Sequence, residues 1–156
     1  MADANETPRA PRALSIVFWV MVAAFAVLIL TVLLPDVLAL FFRPMFLGLT
    51  ALCFLLGLAL LILALRWKAR TLLRTFWILA GASTAGFALG AVLHNAFYAL
   101  AELTDKWPVV SGAMGVLDAA FFLIAVLLCP LAFLVGTVGA IVVMVRRNRR
   151  PAATAA

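Results

Sequence analysis

Charge is scarce in this sequence, and most of it has one sign. Only 12% of the 156 residues are charged, with six acidic side chains against twelve basic ones. Soluble globular domains carry about 25% charged residues. Histidine occurs once, as His94, and tyrosine once, as Tyr98. Metal centres usually need three or four converging ligands, so no metal site is expected. His94 with Met114 would offer axial ligands for haem, but both residues have ordinary interfacial explanations, and no cofactor is expected.

Cysteine is equally sparse. Cys53 and Cys129 both fall inside apolar runs, and neither belongs to a C-x-x-C pair. They read as small buried hydrophobes, not as a disulfide or a redox couple. Glycine-rich phosphate loops, H-E-x-x-H and G-x-S-x-G are absent. No catalytic residue emerges, and the expectation is a protein that is not an enzyme.

Apolar residues are what the sequence has in excess, at 68%. A soluble domain has about 45–50%, and a core of this size could not bury the surplus. A bilayer accepts such a surface. The apolar residues fall into four runs, 14–34, 45–65, 75–101 and 113–145, each long enough to cross a hydrocarbon core of about 30 Å. The fold class is therefore all-α: a polytopic membrane protein with four transmembrane helices in an antiparallel bundle. Residues 1–12 form a short disordered cytoplasmic tail, 13–145 the membrane domain and 146–156 a basic cytoplasmic tail. The first run exceeds the 7–15 apolar residues typical of a signal peptide. It is read as a retained helix, although Val37-Leu38-Ala39 would make a weak cleavage site.

The breaks between runs have local causes. Pro35 and Asp36 end the first, since proline cannot continue the hydrogen-bond ladder. Val37 to Phe42 is apolar but too short to cross. Arg43-Pro44 opens the second helix, because proline is accepted in a first turn. The fourth run is about 50 Å long as a helix, and Pro130 supplies a cause for a kink within it.

The basic residues are clustered, not spread over a surface as nucleic-acid binding requires. Ten of the twelve would lie on one side: Arg9, Arg12, Arg66, Lys68, Arg70, Arg74, Arg146, Arg147, Arg149 and Arg150. Arg43 and Lys106 lie on the other. The positive-inside rule places the ten in the cytoplasm, with both termini. The expected partners are the lipid bilayer and either a second copy of the chain or another membrane protein, with no nucleic acid.

The third run carries the most structured pattern. Ala82, Gly86 and Gly90 recur every four residues, and small residues at that spacing let helix backbones approach closely. Packing against a helix of the same chain is favoured over a homodimer seam. The spacing continues through His94, Tyr98 and Glu102, with Asn95 beside them. A polar group in lipid needs a partner, so this stripe should face the bundle interior. Counted from Thr75, His94 lies about 28 Å along its helix, while Glu102 and, counted back from Val145, Asp118 each lie about 40 Å along theirs. The expected site is an outer-rim cluster of His94, Asn95, Tyr98, Glu102 and Asp118. In it Asp118 is level with Glu102, not tightly paired with His94. The hydroxyls of Thr31, Thr50, Ser83, Thr84 and Thr137 can bond to carbonyls of their own helices.

Leu93-His94-Asn95, an acidic residue shortly after, Phe121-Phe122-Leu123-Ile124-Ala125 and Pro130-Leu131 together resemble a pattern in small uncharacterised prokaryotic integral membrane proteins. The likeness covers the last two helices. It implies a prokaryotic plasma membrane and no particular activity. Two functional readings follow. One is a non-enzymatic structural, assembly or accessory component. The other is a small transporter or channel subunit with a polar pathway at His94. A water-sized cavity from His94 toward Ser83 would favour transport, and a closed apolar bundle there the structural role.

Overall fold

The protein is described by a computed structural model that covers residues 11–33, 46–69 and 71–148. The N-terminal tail before residue 11, the segment 34–45 with its Pro35, Asp36 and Arg43-Pro44 signals, and the last basic residues lie outside the described residues. Helix α1 is Arg12–Leu33, α2 is Phe46–Arg66 and α3 is Leu72–Leu103. Helix α4, Pro108–Leu123, passes through a π-helical turn at Ile124–Leu128 into α5, Cys129–Asn148. The described residues contain no strand. The α4–α5 rod counts as one helix, and there are then four helices long and apolar enough to cross a membrane.

Neighbouring helices in the chain run antiparallel, and α3 is the hub. It packs on α2 along one side and on the α4–α5 rod along the other. Helix α1 packs along α2 and reaches α3 and α5 through aromatic contacts: Phe25 meets Phe87 at 5.4 Å and Phe133 at 4.2 Å between ring centroids. Nearer the basic end, Phe18 meets the fully buried Trp77 at 6.2 Å, and Trp67 meets it at 5.6 Å. The outward faces are as apolar as the inward ones, with Leu47, Leu55, Leu127 and Val135 all exposed. Helices apolar all round belong in lipid or in the core of a large protein.

The closest helix contacts are made by glycines. A methyl group added at Gly57 would lie 2.8 Å from the Ala85 nitrogen and 2.9 Å from the Gly81 carbonyl oxygen. Gly81 mirrors this, at 2.8 Å from the Gly57 oxygen. Helices α2 and α3 therefore cross backbone to backbone. On the other side of α3, a methyl at Gly136 would lie 2.7 Å from the Ala80 nitrogen. Close approach of this kind gains dispersion contacts that replace the hydrophobic force missing in lipid.

The expected small-residue face is rotated from this arrangement. Gly90 faces Ala125 and Gly86 faces the Cys129 sulfur, but Ala82 is exposed. Each step of four residues turns the face by about 40°. Two steps carry Ala82 off the side that meets α4–α5, and Ala80 makes the close approach there, to Gly136, instead.

Helix α3 begins three residues before the apolar run suggested. The Thr71 side chain accepts a hydrogen bond from the Arg74 backbone N–H at 3.4 Å and caps the helix. Arg74 in turn donates from Nε to the Ala64 carbonyl at 2.9 Å and from Nη2 to the Leu65 carbonyl at 3.1 Å. One side chain thus satisfies two of the carbonyls that a helix C-terminus leaves unpaired. Part of the basic cluster between α2 and α3 is committed to holding that turn.

The kink expected at Pro130 takes a specific form. In the π-helical turn the Cys129 N–H donates to the carbonyl of Ile124, five residues back. Pro130 follows at once, and it lacks the N–H that a regular ladder would use. Ala125 is the buried residue of the turn, and it packs on Gly90.

Candidate functional site

At the end away from the basic clusters, α3 and α4 form a tight hairpin. Thr104 caps α3, its backbone N–H reaching the Leu100 carbonyl at 3.0 Å and its hydroxyl donating to the same oxygen at 2.7 Å. Trp107 precedes α4, and Pro108 occupies the first helical position, where no intrahelical N–H is needed. The Ser111 hydroxyl crosses the hairpin to the Ala101 carbonyl at 3.1 Å. Below it, the rings of Phe97 and Phe121 stack at 5.4 Å with an interplanar angle of 2°.

This hairpin sets the site. His94 Nδ1 lies 2.5 Å from Asp118 Oδ1, with side-chain exposures of 30% and 21%. The pair corrects the expectation that Asp118 sits at the height of Glu102. Counting from the turn gives the reason. His94 lies nine residues before the end of α3, and Asp118 lies ten after the start of α4. Both are therefore about 14–15 Å from the turn. Counting from the basic end misleads because α3 and α5 do not end level there. Gly139 faces Phe76, yet α5 continues nine residues beyond Gly139 while only four precede Phe76 in α3.

The other members of the expected cluster stand apart. The Asn95 amide nitrogen donates to the Ala91 carbonyl of its own helix at 2.7 Å. Tyr98 and Glu102 are exposed, and their side chains hydrogen-bond no described residue. Phe122, on the face of α4 next to Asp118, places its ring 5.1 Å from the imidazole. The sequence offered no pairing signal for it beyond its four-residue spacing from Asp118.

The pair fixes which way the imidazole faces. Nδ1 and Oδ1 are buried and have no other hydrogen-bond partner. A proton on Nδ1 shared with the carboxylate leaves Nε2 with its lone pair free. Carboxylate-oriented imidazoles serve as metal ligands and general bases in other proteins. Among the described residues no three His, Cys, Asp or Glu side chains converge to hold a metal ion. The hydroxyls of Thr104 and Ser111, up at the hairpin turn, are bonded to backbone carbonyls. What the geometry does provide is a polar clasp between two helices.

Below the clasp the seam is closed. Gly90 against Ala125 and Gly86 against Cys129 bring the helices together. Ser83 donates to the Leu79 carbonyl at 2.8 Å, and Thr84 to the Ala80 carbonyl at 2.9 Å. Both cysteines are buried free thiols.

Comparison with known proteins finds no matching family model, no matching curated protein and no matching solved structure.

Proposed function

We propose that the chain is a multi-pass protein of a prokaryotic plasma membrane, with both termini in the cytoplasm, acting as a non-enzymatic structural or accessory component. The observation that carries this is the closed α3 to α4–α5 seam between His94 and Ser83. A polar pathway needs wetted groups along its length. Here close apolar contacts separate the two levels, the Ser83 and Thr84 hydroxyls are spent within their own helix, and the buried Thr137 hydroxyl, expected to bond within its helix, has no partner among the described residues. The His94–Asp118 pair is then a device for joining helices, and the remaining polar residues sit near the headgroups.

Reconstituted into liposomes carrying an internal pH dye, the protein is expected to leave proton and ion permeability at the level of empty vesicles. A flux that His94→Ala abolishes would overturn the structural reading and install the transporter. Orientation is supported by the basic residues at the ends of α1, α2, α3 and α5, against Lys106 alone among the described residues in the hairpin turn. A C-terminal reporter active only in the cytoplasm is the expected result, and one active only outside would reverse the topology.

A further inference from the structure

Helices α2 and α3 touch at Gly57 and Gly81 and then diverge toward the hairpin end. The divergence opens a groove of about 670 Å³, within the range of 300–1,000 Å³ that holds a small ligand. Its lining from Phe46 to Phe54 on α2 spans nine residues, or about 12 Å of helix from first to last. That is close to the depth of one leaflet, half of a core of about 30 Å. Ala51, Ala88 and Ala91 line it and keep it open, while Leu47, Leu89 and Val92 bound it with exposed apolar side chains. The Thr50 hydroxyl in the lining is spent on the Phe46 carbonyl of its own helix, which leaves polarity for a ligand at one end. Asn95 reaches its rim, and with the amide nitrogen bonded to Ala91 the Oδ1 atom has no described partner.

We propose that this groove is a binding site for one acyl chain of a phospholipid from the outer leaflet, with Asn95 accepting a hydrogen bond from the headgroup. The proposal rests on the membrane-spanning reading and adds a specific lipid to it. A lipid is the occupant that matches the groove in three respects: it is open sideways to the bilayer, it is about one leaflet deep, and its one side-chain acceptor without a described partner, Asn95 Oδ1, lies at the end where headgroups lie.

The test uses the full chain in vesicles containing phosphatidylethanolamine with a photoreactive diazirine on one acyl chain. After irradiation, adducts are mapped by peptide mass spectrometry. Labelling is expected to concentrate in residues 46–54 and 88–95, above that at the exposed Leu127 and Val135. Ala51→Phe with Ala91→Phe fills the groove from two positions outside the buried core, and is expected to lower its labelling about tenfold, as a loss of about 1.4 kcal/mol in binding would. Labelling at Leu127 and Val135 should not change, and it shows that the protein has inserted. Groove labelling no greater than at those positions overturns the proposal. So does a groove left unlabelled because a second copy or residues 34–45 of the same chain fill it. If nothing is labelled anywhere, the membrane-spanning reading has failed, and the lipid site with it.

Discussion

Replacing Gly57 with alanine is expected to destabilise the bundle by about 1–3 kcal/mol, the usual cost of forcing extra atoms into a packed contact. The added methyl would meet the Ala85 nitrogen and the Gly81 oxygen at 2.8 and 2.9 Å. Both are backbone atoms inside a helix, so no side chain can swing aside and the helices must separate. Gly81→Ala and Gly136→Ala should behave alike, for the same reason on the two sides of α3. Gly48 has nothing within 4 Å of the new methyl. Gly48→Ala should therefore be neutral or stabilising by up to about 1 kcal/mol, from helix propensity alone. Gly57→Ala with Gly81→Ala should cost less than the sum, because one displacement makes room for both methyls. Titration into denaturing detergent from mild micelles, followed by helical circular dichroism, measures all of these. Equal stability of the Gly57→Ala and Gly48→Ala proteins would contradict the backbone crossing.

The second large effect concerns the clasp. Asp118→Ala leaves the Nδ1 of His94 facing an apolar seam beside Phe122. Losing one partner of a buried pair costs about 3–5 kcal/mol, while exposed pairs are worth about 0–1 kcal/mol. With side-chain exposures of 30% and 21%, this pair falls between those limits, and a loss of about 1–2 kcal/mol is expected for either single alanine variant. In a double-mutant cycle His94→Ala with Asp118→Ala should show a coupling of about 1 kcal/mol, within the range measured between membrane helices. Tyr98→Phe and Glu102→Ala should change stability by less than about 0.5 kcal/mol. If Asp118 and His94 proved additive while Asp118 and Glu102 coupled, the original height assignment would be restored.

The number of helices could be read from the sequence because membrane thickness imposes a length on apolar runs, and the turns carry proline and charge. The packing faces could not. A helix surrounded by lipid is apolar on every side, so periodicity does not mark its interior face. Gly57 and Gly81 are single glycines on different helices, with no repeat to connect them. Ala82 fits a four-residue repeat and still points outward. The His94–Asp118 pair is within reach of the sequence, since both residues stand out as polar groups in apolar runs. Its geometry follows from the hairpin turn, a fixed point shared by both helices, whereas their other ends are staggered. Arg74 was counted as a topology signal, and its second task, holding the end of α2, depends on a fold-back that composition does not reveal.

The helices also differ in length across the molecule. Helices α1 and α2 have 22 and 21 residues, and α3 has 32, or about 33, 32 and 48 Å. Lipids on the α1–α2 flank meet a wall matched to an ordinary bilayer. Those on the α3–α4 flank meet one about 15 Å taller, with Leu103, Trp107 and Val109 exposed near its crest. Membranes respond to such mismatch by thickening, or the helix responds by tilting. The described residues thus form a lopsided wedge. In a bilayer such a wedge would favour a gradient of thickness around it or a lean of the α4–α5 rod.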